Sequence, residues 1–356
     1  MKENRFLYAV RFIACLAVIT IHTRFPGKFG QVMDALARFA VPYFFAVSGR
    51  FLLDSSNDDP SNIRSRAKRA LKRLLKVTFV VYLIHLTYSF IVCTVRDQIT
   101  PYEWVSSKFN LTELSNFILY NSGRFIYDGS YTFDHLWFLF ALIYVYVLIY
   151  IFASVLRKWY KGLIAILLFF LYLGMLLQTY YPIRPFGINI CTWYVMRNWL
   201  FVGIPFVLIG VLFSDYIRDR ITVLDDEKKK KWQLSTRYKA VLGVISGIVL
   251  TIVETWIYGN KEVHFGSLLI VVSLLFLSEC DMPAGNSLWK IGKRASSNIY
   301  YYHVLIIAVI DLCSQKGIIP TPAMWVKPLI IMVICVILFY LVPVAFEKWL
   351  KMPSST

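Results

Sequence analysis

Two ionisable side chains stand inside the first apolar stretch of the chain, Arg11 near its start and His22 at its end. Ionisable groups within a membrane-length apolar segment are costly and point to function by default. Their spacing says more. Eleven residues separate them, and at about 100° per residue a helix comes back to within roughly 20° of its starting face while rising roughly 16 Å. One helix face therefore carries a guanidinium toward one membrane surface and an imidazole toward the other. A guanidinium is a planar fork of donors that suits a phosphate. A neutral imidazole, with an ordinary pKa of about 6.5, suits a proton taken from a hydroxyl. A phosphate-anchored thioester on an arm like that of coenzyme A, roughly 13–15 Å or four extended residues long, would reach from one to the other. Taken singly, Arg11 reads as snorkelling to the inner surface and His22 as resting in outer headgroups. Taken as a pair on one face, they favour the chemical reading.

Arg11, ten residues and His22, followed by Phe44-Phe-Ala-Val-Ser48-Gly49, resemble the acyltransferase 3 family of integral membrane acyltransferases. His135-Leu-Trp137-Phe-Leu139 and the Tyr-Tyr-Tyr-His run ending at His303 are similar to later segments of that family. The likeness covers nearly the whole chain, as apolar segments in order. One departure is Arg50, which follows Ser-Gly where the family usually has an aromatic or aliphatic residue. The resemblance implies an O-acyltransferase that draws on acyl-CoA, most often acetyl-CoA, and needs no metal. Some members carry a further extracytoplasmic domain that completes the transfer; none is expected in this sequence.

Such an enzyme needs elements that hold the two groups at fixed depth. Hydrophobic residues make up 58% of the 356, and charged ones 17%, which excludes an ordinary soluble domain. The net charge of +17 does not point to nucleic acid, because the basic residues fall between apolar segments. They read as topology signals and contacts to anionic membrane lipid. The six cysteines are scattered, with no metal or disulfide spacing. Cys191 and Cys313 fall near one surface, but nothing supports a bridge. Lys2 and Arg5 precede the first apolar run as in a signal peptide, yet no small-residue cleavage site follows. The segment is expected to be retained.

The fold expected is all-α: a polytopic bundle of about ten transmembrane helices, forming one acyltransferase-3-like domain over residues 1–356. A span needs about 20 mostly apolar residues. Candidates are 6–23, 37–54, 76–95, 135–155, 162–180, 198–214, 240–258, 264–280, 297–314 and 328–347. With the N-terminus inside, 25 lysines and arginines fall in inner segments and 11 in outer ones. That asymmetry predicts cytoplasmic termini and a multi-pass protein of the plasma membrane. The loops near 55–75 and 215–239 are expected in the cytoplasm, with the run Asp225 to Lys231 as a solvated loop. The outer connection 96–134 is aromatic and polar, suited to a lid or to an acceptor site. Asn110-Leu-Thr112 matches a glycosylation sequon, which carries little weight.

Depth then sorts the polar residues. Arg11, Arg50 and His303 fall in inner halves and are the candidates for holding the cofactor. His22 is the candidate base. Asp134 or Glu254, the carboxylates of the outer half, would orient it and stabilise its imidazolium. Asp134 also reads as a helix N-cap and Glu254 as a partner for Lys261. Ser48, His135 and Trp137 are candidates for lining the substrate path. Their rival readings are close helix packing for Ser48 with Gly49 and a membrane-belt tryptophan for Trp137. His85 reads as an interhelical hydrogen bond. The expected reaction moves an acyl group, acetyl above all, from cytoplasmic acyl-CoA to a hydroxyl of an extracytoplasmic glycan or lipid-linked sugar. The alternative is a transporter of a polar or anionic solute, although matching pairs of broken helices, its usual mark, are not evident.

Overall fold

The computed structural model describes residues 3–52, 59–180 and 193–350. Every regular element among them is helical. In chain order these are α1 (Arg5–His22), α2 (Gly27–Ala37), α3 (Ala40–Leu52), α4 (Pro60–Ile91), α5 (Pro101–Lys108), α6 (Leu111–Tyr120), α7 (Trp137–Tyr180), α8 (Trp193–Met196), α9 (Ile204–Tyr216), α10 (Asp226–Tyr258), α11 (Phe265–Leu277), α12 (Asn286–Gln315), α13 (Lys327–Val336) and α14 (Val342–Leu350). Wide π-type turns extend α4, precede and follow α9, and join α13 to α14. Among the described residues, eight helical stretches are long and apolar enough to cross a bilayer, and α11 is a shorter apolar helix.

Helix starts are set by local chemistry. The Asn4 side chain accepts from the Leu7 N–H and opens α1. Asp59 caps α4, with Pro60 at its first position. Two segments read from sequence as loops are therefore helical. Residues from Pro60 onward are the basic first turns of α4. Asp225 caps the Lys228 N–H, with Asp226 and Glu227 in the first turn, so the run 225–231 begins α10. Acidic residues favour a helix N-terminus, and the Glu227–Lys231 pair adds an i,i+4 contact.

The expected helices 135–155 and 162–180 are joined without a loop as the two halves of α7. Its 44 residues would measure about 65 Å if straight, twice the thickness of a bilayer core. The backbone breaks at Phe152 (φ −105°, ψ 26°). Both halves then return to one level. Trp137 lies under the Arg197 guanidinium at 5.3 Å, Arg197 pairs with Glu262 at 2.8 Å, and the Tyr172 hydroxyl donates to the His264 carbonyl at 3.3 Å. A straight helix would hold Trp137 and Tyr172 about 50 Å apart, farther than that chain of contacts can reach. So α7 doubles back.

The helices pair α1 with α12, α3 with α9, α4 with α7 and α10 with α11. Small residues bring two of these pairs to backbone contact. A Cβ on Gly49 would lie 1.9 Å from the Val207 carbonyl oxygen, and one on Gly210 would lie 1.9 Å from that of Ala46. Likewise a Cβ on Gly292 of α12 would lie 1.9 Å from the Tyr8 carbonyl oxygen of α1. Close approach of this kind is how helices associate where lipid offers no hydrophobic drive. Cys15 strengthens the second pair by donating to the Ser296 carbonyl. Cys93, Cys280 and Cys335 are buried thiols and Cys313 is half-buried; Cys191 lies outside the described residues.

The connection 97–136 forms a structured lid holding α5 and α6. A Thr100–Glu103 capping box starts α5. Asp128 ties the lid down: it accepts from Lys108 Nζ (2.7 Å), from Ser89 of α4 (2.5 Å) and from the Ser130 hydroxyl and N–H. Burial opposes charge on both partners and pulls Lys108 down, while Lys108 and the hydroxyl donors hold Asp128 below its ordinary value. Asp134 and Tyr131 are carried by this lid.

Candidate functional site

The site begins with α1 and the helix beside it. Arg11 donates from Nη2 to Ser297 Oγ of α12 at 3.1 Å. Farther along the same pair, the His22 ring packs 5.2 Å from His303 of α12 and 6.1 Å from His135, centroid to centroid. His135 is 4.8 Å from His303 and 5.2 Å from His85. Four of the chain's five histidines thus meet at one level.

Their hydrogen bonds fix the tautomers. A carbonyl only accepts, so each ring nitrogen facing one carries hydrogen. His85 and His135 both donate from Nε2 to the Tyr301 carbonyl, each at 2.9 Å. His303 donates from Nδ1 to the Tyr300 carbonyl at 2.8 Å. That leaves lone pairs on His303 Nε2 and His135 Nδ1, both buried and without a hydrogen-bond partner. His22 thus packs on two rings whose second nitrogens, in the neutral form, can accept but not donate.

Two cavities approach this cluster from opposite ends of α1. The inner one, of about 260 Å³, is lined by Arg11, Ser48, Phe44, Ser297, Tyr301 and apolar side chains. The outer one, of about 510 Å³, is lined by His22, Asp134, His135, Trp137, Arg38, Arg197 and others. Tyr300 lines both. Its hydroxyl donates to the His135 carbonyl at 2.7 Å, which places the phenol at the partition between the two. A third cavity, of about 290 Å³, shares His22, Gly129, Tyr131 and Asp134 with the outer one.

The outer wall is an ion-pair network drawn from four separate segments. Asp34 is shared by Arg24 (3.2 Å), Arg38 (3.2 Å) and the Asn260 amide (2.6 Å). Glu262 is shared by Arg38 (2.6 Å) and Arg197 (2.8 Å). Burial would raise Glu262, but Arg197 and Arg38 hold it below the usual carboxylate range. Arg24, Arg38 and Arg197 line the same cavity as His22. Asp134 is the contrasting carboxyl. Burial pushes it up to about 6, against the pull of Arg197.

Several sequence expectations are placed differently. His303 does not lie at the Arg11 end; it packs on His22, because α12 starts at Asn286, well before its apolar run, and His303 is therefore deep along it. Arg50 is turned into the helix packing, where it donates to Ser214 Oγ at 3.1 Å and pairs with Glu279 at 3.0 Å. Glu254 is removed from His22. It accepts from the N–H groups of Phe265 and Gly266 at the start of α11 and lies 3.4 Å from His264 Nδ1. Ser48 lines the inner cavity while donating back to the Phe44 carbonyl at 2.8 Å. Trp137 faces the outer cavity beneath Arg197. Of the carboxylates nominated, only Asp134 shares a cavity with His22. The missed residues are Arg38 and Arg197, which enter the sequence reading only as outer basic charges, and Glu262, which does not enter it at all. Their alliance joins positions 65 and 224 residues apart, and no local pattern announces it.

No curated protein and no solved structure matches the chain significantly. The family model of acyltransferase 3, described as an acyltransferase domain, matches residues 4–347. With nearly its whole length matched, and with membrane-length helices that set an arginine and a histidine at opposite ends of one face, the chain belongs to the acyltransferase 3 family of membrane proteins.

Proposed function

We propose that this protein is an O-acyltransferase of the plasma membrane. It takes an acetyl group from acetyl-CoA on the cytoplasmic side and delivers it to a hydroxyl of an extracytoplasmic or lipid-linked glycan. The chain crosses the membrane ten times with both termini in the cytoplasm. The doubling back of α7 and the short apolar α11 support that count. The excess of basic residues in one set of connections supports the orientation.

The observation that carries the reading is the pair of cavities that converge on Tyr300, one bearing Arg11 and the other His22. The CoA phosphates meet Arg11 at the inner mouth, and the pantetheine arm lies along the Phe44, Val47 and Leu142 wall. The thioester carbonyl then reaches the partition. An acceptor hydroxyl in the outer cavity gives its proton to His22 as its oxygen attacks that carbonyl. The tetrahedral oxyanion collapses, the C–S bond breaks, and CoA leaves as the thiol after taking the proton back. The oxyanion forms in a site whose outer wall holds three guanidinium groups, an arrangement that favours developing negative charge. The new imidazolium at His22 packs against the rings of His303 and His135, whose unpartnered nitrogens, in the neutral form, are acceptors where a carboxylate usually serves.

The test uses purified protein in liposomes with radiolabelled acetyl-CoA supplied on one side and envelope glycans on the other. Release of CoA on the donor side, with label on the glycan, is the expected result. Uptake of intact solute without CoA release would replace this reading with transport.

A further inference from the structure

Two adjoining chambers meet at the proposed base on the outer side. His22, Gly129, Tyr131 and Asp134 border both. The larger chamber runs from them to Arg24, whose side chain is 61% exposed. The smaller lies between α4 and α12 and reaches Arg96 and Gln315, both exposed. Its wall is mixed: Tyr88, Ser130, Asp311 and Gln315 are polar, and Val304, Ile307 and Leu312 of α12 are aliphatic. A single terminal sugar bound for attack would need one such chamber. Two chambers with solvent-facing far ends and a shared centre suit a chain that passes through.

Tyr131 marks the centre. It lines both chambers, is 73% exposed, and holds a left-handed backbone (φ 60°). That conformation is uncommon for a bulky residue and persists where its surroundings impose it. Just before it, Asp128 accepts from Ser130 N–H and Oγ and fixes the preceding turn. The result is an aromatic ring on the lid, over the junction where His22 and Asp134 lie.

We propose that the acceptor is an extended glycan bound across both chambers, with Tyr131 over the unit being acylated, so that transfer falls on internal units of a polymer. The smaller chamber is the subsite for the neighbouring unit, with Gln315 and the carboxylate of Asp311, whose other oxygen is held by Lys327 at 2.6 Å, as hydrogen-bonding partners for its hydroxyls. This rests on the acyltransferase reading above and adds the class and register of its acceptor.

The test maps acyl groups on the envelope glycans of the cells that make this protein. Cells with the gene, without it, and with the gene restored as wild type, Gln315→Ala, Asp311→Asn or His22→Ala are compared. Glycans are cut to oligomers and read by mass spectrometry. Acyl groups lost with the gene and restored by the wild type should sit on internal units. Gln315→Ala and Asp311→Asn should lower that acylation at least fivefold at normal protein level. In detergent, both variants should bind acetyl-CoA with the affinity of the wild type. Loss confined to chain-end units, or to molecules of one sugar, would overturn the threaded acceptor and leave the transferase reading intact. Full acylation by both variants would overturn the smaller chamber as a subsite. No acyl difference between cells with and without the gene, or none between wild type and His22→Ala, would overturn the transferase reading itself.

Discussion

Arg11 and His22 divide the proposed reaction between binding and chemistry, and single substitutions separate the two. Arg11→Ala should weaken acyl-CoA binding by about 1.5–3 kcal/mol, the worth of a charge-assisted hydrogen bond, or roughly ten- to hundredfold in Kd. Arg11→Lys should recover only part, because a point charge lacks the guanidinium fork. Titration calorimetry with a non-hydrolysable acyl-CoA measures both, and unchanged affinity in Arg11→Ala would remove the anchor. His22→Ala should insert normally and still bind acyl-CoA while transfer falls roughly 10²–10⁴-fold, the usual range for a general base. Near wild-type CoA release from that variant would end the mechanism. Asp134 adds a pH dependence of its own. Its carboxyl is pushed up to about 6 by burial, so it is charged above that pH and neutral below. Transfer is expected to fall as pH drops through about 6, because neutral Asp134 no longer steadies the imidazolium that forms on His22. In Asp134→Asn that step should vanish from the pH–rate profile; a step that survives belongs to another group.

At the scale of elements, the site depends on how closely α1 lies on α12. Gly292 permits that approach, since a Cβ there would meet the Tyr8 carbonyl at 1.9 Å. Gly292→Ala must push the helices apart or kink one of them. Overpacking of this kind costs about 1–3 kcal/mol or more, read as a lower midpoint in thermal denaturation in detergent. Because Arg11–Ser297 and His22–His303 are both contacts of this pair, transfer should fall more steeply than stability. The alignment of Arg11 and His22 was legible in sequence because it follows from the helical period alone. The depth of His303 was not. Counting from the apolar onset near residue 297 assumes a helix upright in the bilayer. In fact α12 has 30 residues, about 45 Å, and must tilt or protrude. The starts of α4 and α10 were misread for a related reason: hydropathy reports where lipid begins, whereas caps such as Asp59 and Asp225 report where helix begins. Arg38 and Glu262 stayed hidden because side chains from distant loops meet only in three dimensions.

The whole molecule makes a prediction about sidedness. If the basic connections are cytoplasmic, Asn62→Cys and Lys230→Cys should resist a membrane-impermeant maleimide added to intact cells and react after permeabilisation. Reaction at either position in intact cells would invert the topology and place Arg11 on the wrong side for cytoplasmic acyl-CoA. The same whole-molecule view separates the family from its signature. The segment with Arg11, His22 and Phe-Phe-Ala-Val-Ser-Gly ends by residue 49, yet the family match reaches residue 347. The later helices hold no comparably sharp motif, because their work is to pack and to present single residues such as Tyr300 and His303.

That division has a consequence for how the protein is made. Arg11 and its partner Ser297 are 286 residues apart in the chain. At a synthesis rate of about 5–20 residues per second, α1 enters the membrane roughly 15–60 s before α12 leaves the ribosome. For that interval the guanidinium and imidazole of α1 lack the helix that will satisfy and confine them. The first helix must wait beside the insertion machinery or in lipid with its arginine drawn to the surface. A ribosome slowed between codons 225 and 286 would lengthen the wait. The chains it releases would carry the sharpest part of the family signature without a closed site, which makes them natural substrates for membrane quality control.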